Sequence, residues 1–275
     1  MKKFNGKAIY CPSGKAQEYS YWACNFYVGC SNGCTYCYCK KGILKPVMGM
    51  DMPQLKKCFR DESHALEVFE QELLKNLADL QKCGLFFSFT TDPLLFETKE
   101  LTMLAINICL YHSVPVKILS KCTEYIGQFS YELQCSDYDL SKVAFGFTLT
   151  GHDELEQNAN TNDERIQAMK RLHDVGFKTF ASIEPIIDFK SSFKMINQTH
   201  DFCDLYKVGL ESGKKYDVNE VNEFIAFSMI HALNNDSKIY FKDSILKASK
   251  FSREILQDEF NCIVNRDYDM FNLKF

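Results

Sequence analysis

Three cysteines have the spacing to do chemistry. They lie in Gly29-Cys30-Ser31-Asn32-Gly33-Cys34-Thr35-Tyr36-Cys37-Tyr38. A C-x3-C-x2-C run lets one loop offer thiolates to three of the four irons of a [4Fe–4S] cluster. Gly29 and Gly33 free the backbone where such a loop must curl tightly. The fourth iron has no further cysteine at conventional spacing, and an open metal position is where chemistry happens, as it is at catalytic zinc. A structural zinc site is the competing reading. It needs a second ligand pair, and the remaining cysteines, like His64, His112, His152, His173, His200 and His231, are scattered. The spacing favours the cluster and leaves zinc as the alternative.

Composition sets the compartment. Thirteen cysteines in 275 residues cannot all pair internally, and a disulfide scaffold is normally much shorter, so reduced thiols are expected. No apolar run reaches the roughly 18 residues that span a bilayer. The basic start Met1-Lys2-Lys3 is not followed by the apolar stretch of a secretion signal. A cytoplasmic protein with no membrane partner is the expectation. The net charge of −4 does not point to nucleic acid, and the basic excess over residues 238–253 reads as a solvated helix face. A lesion-bearing strand would need only a local groove and a pocket for an extruded base, so nucleic acid stays open as a partner.

The elements that must position the triad alternate along the chain. Runs rich in β-branched and aromatic residues fall at 21–27, 85–90, 115–120, 143–149, 178–184 and 204–209. Helical apolar spacing lies between them: Leu66, Phe69, Leu73, Leu77 and Leu80, then Leu101, Leu104, Ala105 and Ile108, then Ile166, Met169 and Leu172. Thr161 with Glu164 forms a capping-box pattern, and Gly176 marks where that helix ends. The alternation predicts an α/β fold, a partial parallel (β/α)6 barrel. Residues 1–212 would form this core with an N-terminal extension. Residues 213–275 would form a C-terminal helical cover, with helices at 219–233 and 244–260 flanking a short apolar run at 239–241.

A C-x3-C-x-aromatic-C segment directly after the first strand resembles the radical S-adenosylmethionine superfamily. The wider order resembles its spore photoproduct lyase-like branch: Asn25 to Tyr38, then Thr90-Thr91-Asp92-Pro93 with Glu97, Leu119-Ser120-Lys121, and Thr148-Leu149-Thr150. The resemblance spans roughly residues 20–212. It implies an enzyme whose cofactors are a [4Fe–4S] cluster on Cys30, Cys34 and Cys37 and S-adenosylmethionine at the open iron. That sulfonium would be cleaved reductively to a 5′-deoxyadenosyl radical, which takes hydrogen from an unassigned substrate. It further implies a one-electron reductant of flavodoxin or ferredoxin type as partner.

Site residues follow from the same resemblance. Tyr36 matches the position beside the adenine. Thr90, Thr91 and Asp92 match the segment for the cofactor amine, where a carboxylate would accept a charge-assisted hydrogen bond. Lys121 matches a lysine near the cofactor carboxylate, Thr148 and Thr150 positions near the ribose, and Arg165 a group approaching that carboxylate from its helix. Glu184 lies at the end of the fifth strand, where barrel sites are built. Tyr38 matches a tyrosine of hydrogen relay and is the catalytic candidate. Phe89 stands where the lyases carry a hydrogen-donating cysteine, so repair of photoproduct by that route is not expected. A glycyl-radical activase and a non-catalytic iron–sulfur or zinc protein are the alternative functions.

Overall fold

The computed structural model describes residues 3–271, so the outermost bounds of the two expected units, 1–2 and 272–275, lie outside the described residues. Its strands are β1 Ile9–Tyr10, β2 Ala23–Cys24, β3 Tyr27–Val28, β4 Gln54–Leu55 and β5 Leu85–Phe87. They continue with β6 Val116–Ser120, β7 Val143–Thr148, β8 Lys178–Ile186, β9 Leu205–Leu210 and β10 Lys238–Phe241. The helices are α1 Lys45–Met48, α2 Glu62–Lys75, α3 Leu77–Cys83, α4 Lys99–Tyr111 and α5 Ile126–Gln134. After them come α6 Asn162–Asp174, α7 Phe189–Thr199, α8 Val218–Asn234, α9 Asp243–Leu246 and α10 Arg253–Glu259.

One eight-stranded sheet runs β1-β2-β5-β6-β7-β8-β9-β10. Only β1 is antiparallel; every other neighbour pair is parallel, with helices as the crossovers. This is the α/β parallel partial barrel that the alternation predicts, with two extensions. The run at 239–241 is a strand of the sheet, pairing Ile239 with Tyr206 and Phe241 with Val208. Residues 213–271 therefore add a strand to the sheet. The stretch read as one helix over 244–260 is two, α9 and α10, and Ser252 accepts the Ile255 N–H to start the second.

The expected first strand, 21–27, is split at Asn25. Its backbone N–H goes to the Ala8 carbonyl, its Oδ1 accepts from Phe89 N–H and its Nδ2 donates to the Tyr10 phenol. β2 thus stays in the main sheet while β3 leaves it to pair with β4. Residues 29–53 form an excursion closed at its base by that pair, and the three cysteines ride on it.

Both faces of the strands are buried, which is why they read as near-continuous apolar runs. One layer packs the sheet against its helices and includes Phe69, Phe87, Ile118, Phe145 and Ile225. The other fills the lumen with Tyr19, Phe86, Phe180, Leu205 and Tyr240. Phe86 and Phe89 stack with centroids 4.4 Å apart, and Tyr19 meets both rings. Gly146 makes room for the Phe180 ring, since a Cβ there would meet that ring's atoms at 2.2 Å. Gly146→Ala should overpack the lumen and lower stability by about 1–3 kcal/mol, read as a lower urea midpoint at unchanged slope. An unchanged midpoint would mean that the lumen is loosely packed.

Candidate active site

The cysteine excursion is held from both sides. Gly29 and Gly33 have φ of +84° and +69°, and a Cβ on Gly29 would meet the Met52 carbonyl at 2.4 Å. Cys30 N–H donates to the Met50 carbonyl at 3.1 Å, and Cys37 N–H to that of Cys34 at 3.3 Å. The segment after β7 clasps the other side. Thr35 N–H reaches the Leu155 carbonyl at 2.9 Å, Asn158 N–H the Asn32 carbonyl at 3.1 Å, and Asn158 Nδ2 the Ser31 carbonyl at 2.9 Å.

Asp92 ties this loop to the strand ends. Its carboxylate accepts from Asn32 Nδ2 (2.8 Å), Ser120 Oγ (2.6 Å), Lys121 N–H (2.7 Å) and Leu94 N–H (3.1 Å). An amine ligand would have to share those oxygens, so the described contacts give Asp92 a positioning role. Thr90 Oγ1 donates to the Tyr27 carbonyl at 2.6 Å. Thr91 Oγ1 and Asn32 Oδ1, both buried, have no hydrogen-bond partner among the described residues.

Arg165 is wholly buried and does not line the cavity. Its guanidinium pairs with the equally buried Glu156 at 2.5 Å and donates to the carbonyls of Thr148 (2.7 Å) and Asn160 (2.8 Å). Glu156 in turn accepts from the Tyr36 phenol. A buried ion pair of this kind is tolerable only because its remaining donors and acceptors are met. Thr150 is likewise buried away from the cavity, its N–H on Asn162 Oδ1 and its Oγ1 accepting from His152 N–H.

The other expected residues converge. Cys30, Cys34, Cys37, Tyr36, Tyr38, Thr90, Thr91, Asp92, Lys121, Thr148 and Glu184 line one cavity of about 490 Å³ at the C-terminal ends of the strands. The Lys121 ammonium lies 5.5 Å from the Tyr36 ring centroid and has no hydrogen bond or ion pair among the described residues. Burial pulls its pKa down, but the negative fields of Cys34, Glu156 and Asp92 outweigh that and raise it, so it stays a cation. Tyr38 is 51% exposed, and its phenol donates to the Phe89 carbonyl.

Glu184 belongs to the opposite wall. Its Oε2 accepts from the Tyr19 phenol at 2.8 Å and from Lys242 Nζ at 2.6 Å. Tyr19 also meets Ser182 Oγ at 2.6 Å. Behind them, buried Glu18 faces Lys242 at 3.7 Å, and Lys207 Nζ donates to the Glu18 and Tyr19 carbonyls at 2.8 and 3.0 Å. Burial drives the Lys207 pKa well below the usual lysine range. Glu18, Tyr19, Lys207 and Lys242 escape a reading of the sequence because polar residues carry no periodic signal of being buried. Asn32, sandwiched in the triad, and Glu156, just before the Thr161 cap, are the missed residues that motif proximity could have found.

The thiols differ. Burial, with the Asp92 carboxylate adding to it, pushes Cys30 up to about 12. The neighbouring Cys39 thiol, with the backbone N–H groups that follow Cys37, holds the Cys37 thiol below its ordinary range. Among the described residues, no three His, Cys, Asp or Glu side chains converge on one metal ion. A cluster does not ask that of its thiolates, each of which takes a different iron. The donor set fits such a group: three cysteines on one wall, with an unpaired ammonium and two unpartnered polar atoms beside them.

No protein-family model and no curated protein matches the chain. Solved structures do. A cysteine-to-serine variant of spore photoproduct lyase aligns with a TM-score of 0.62 at 11% identity, over 88% of this chain and 81% of that one. Spore photoproduct lyase complexed with dinucleoside spore photoproduct aligns at 0.56 and 12%, over 73% and 59%. SuiB of Streptococcus suis bound to S-adenosylmethionine aligns at 0.56 and 12%, over 82% of this chain, which spans about half (52%) of SuiB. The chain therefore has the fold of spore photoproduct lyase and SuiB, the fold that the resemblance of its cysteine segment implies.

Proposed function

We propose that the protein is a radical S-adenosylmethionine enzyme acting on a substrate held in the cavity at the strand ends. The observation that carries this reading is the convergence of the C-x3-C-x2-C cysteines and the unpaired Lys121 on one wall of that cavity. Cys30, Cys34 and Cys37 would hold a [4Fe–4S] cluster, which supplies one electron to split the sulfonium of S-adenosylmethionine and so furnishes a 5′-deoxyadenosyl radical. Lys121 would meet the cofactor carboxylate with its unpaired ammonium. Asn32 Oδ1 is an acceptor for the cofactor amine, in place of the four-donor carboxylate of Asp92. Thr91 Oγ1 is a further polar contact.

Tyr36 is fixed by Glu156, so its ring presents one orientation to an adenine. Thr148 reaches the same wall, whereas Thr150 and Arg165 act from behind it as positioning residues. Glu184, with Tyr19 and Ser182, shapes the side where a substrate would lie. The packed lumen closes the bottom and excludes water, as a reactive radical requires. Tyr38 remains the candidate for hydrogen transfer. Phe89, which stacks on Phe86, offers no thiol hydrogen to a thymine radical. A cytoplasmic enzyme served by a flavodoxin- or ferredoxin-type reductant completes the reading; among the described residues no helix is long and apolar enough to cross a membrane.

Anaerobic reconstitution followed by dithionite and S-adenosylmethionine should yield 5′-deoxyadenosine, with no thymine restored from an added photoproduct dinucleotide. Alanine at Cys30, Cys34 or Cys37 should abolish iron loading. Full loading of the triple variant, or an intact cluster that yields no 5′-deoxyadenosine, would contradict the proposal, the latter in favour of a non-catalytic iron–sulfur protein. Lys121→Ala should keep its iron and weaken S-adenosylmethionine binding about tenfold or more, by loss of one charge-assisted contact worth about 1.5–3 kcal/mol. Unchanged affinity would remove Lys121 from the cofactor site.

A further inference from the structure

Charge is strongly segregated along this chain. Residues 40–60 carry Lys40, Lys41, Lys45, Lys56, Lys57 and Arg60 against a single carboxylate, Asp51. That stretch is +5 (six minus one) in a chain of −4, so the remainder is −9. Lys40 pairs with Asp51 at 2.5 Å, Lys41 with Glu211 at 3.1 Å, and Lys56 turns inward to the Asn25 carbonyl at 3.1 Å. Lys45, Lys57 and Arg60 are exposed, and their side chains make no hydrogen bond or ion pair among the described residues.

Between these cations in sequence, the exposed apolar side chains are aliphatic. Ile43 is 91% exposed, Val47 60% and Met52 52%, all within the one excursion between β3 and β4. That excursion also bears the triad. The Met50 carbonyl accepts Cys30 N–H, and Lys40 N–H donates to the Cys37 carbonyl at 3.1 Å. Lys40, Lys41, Met48 and Met50 line the cavity with the thiols, whereas the exposed Ile43, Val47 and Met52 do not, so the segment runs from the cavity rim to the outer surface.

From this juxtaposition we infer that residues 40–52, flanked by Lys57 and Arg60, are the docking surface for an acidic one-electron donor protein. The inference rests on the reading of the triad as a cluster site. Exposed aliphatic side chains in a stretch with unpaired cations complement a small acidic carrier: the charges steer and orient the encounter, and the apolar contact seats it. Redox encounters need only small interfaces, which this face can supply. Single-stranded nucleic acid would call for aromatic side chains on which bases stack, and the exposed centre here is aliphatic. In the step served, a two-electron-reduced flavin of the donor would give up one electron and become a semiquinone, the electron passing to a cluster held by Cys30, Cys34 and Cys37.

The test compares wild type with I43D/V47D and, as a milder change, K45E/K57E. Two quantities are read: the Kd for a bacterial flavodoxin, and the rate of cluster reduction by its hydroquinone. Wild-type binding should weaken steeply between about 0.05 and 0.5 M salt. Both variants should lose about tenfold or more in flavodoxin affinity and reduction rate while iron content and dithionite-driven reduction stay at wild-type levels. Unchanged affinity and rate in both variants would overturn the proposal. So would variants that lose binding to a labelled single-stranded oligonucleotide while keeping flavodoxin. Iron content reports separately on the cluster: wild type that takes up no iron yet loses flavodoxin binding on substitution would refute the cluster reading and leave the docking surface standing.

Discussion

The carboxylate of Asp92 is the point from which the site hangs. Four donors from three segments meet on it: Asn32 of the cysteine loop, Leu94 of its own turn, and Ser120 with Lys121 at the end of β6. A buried carboxylate is costly unless its lone pairs are met, and once met it fixes its donors in mutual register. That register places the Lys121 side chain beside Tyr36 and holds Asn32, whose buried Oδ1 has no hydrogen-bond partner among the described residues, in the cavity lining. The Arg165–Glu156 pair completes the frame by tying α6, the end of β7 and the Tyr36 phenol together.

The two walls of the cavity differ in how far their polar groups are already satisfied. On the cysteine wall the Lys121 ammonium, Asn32 Oδ1 and Thr91 Oγ1 lack partners among the described residues, so a charged ligand can meet the ammonium there without breaking a pair. On the opposite wall Lys242 and Glu184 are paired and Tyr19 is shared between Ser182 and Glu184. That wall is preorganised, and its groups present shape and fixed dipoles more than free charge. A cofactor with its own amine and carboxylate suits the first wall, and a substrate positioned by shape suits the second.

The parallel core was legible because its strands are buried on both faces and so stand out as apolar runs between helices of 3.6-residue period. The capping box at Thr161 and Glu164 was legible for a local reason, since both partners lie within one turn. β10 was visible as an apolar run but not as part of the sheet, because its partner, β9, lies a whole helix away. β1 is two residues long, too short for any periodicity. The split of the first strand depends on what Asn25 finds at Ala8, Tyr10 and Phe89, none of which local sequence encodes. The triad was plain from spacing. The buried Glu18, Lys207 and Lys242 were not, and the basic stretch at 238–253 includes Lys242, which the structure buries against Glu184 rather than exposing. Only the closing of the lumen, which sets the turn ending at Glu18 against β9 and the end of β10, brings those residues together.

The central claim is that the triad leaves one iron open to S-adenosylmethionine. The most direct measurement is the electron paramagnetic resonance spectrum of the reconstituted, dithionite-reduced protein with and without S-adenosylmethionine. Reduced protein should show the signal of a [4Fe–4S] cluster whose g values shift when S-adenosylmethionine is added. A cluster signal that is identical in both samples, or no cluster signal in fully metallated protein, would contradict the claim.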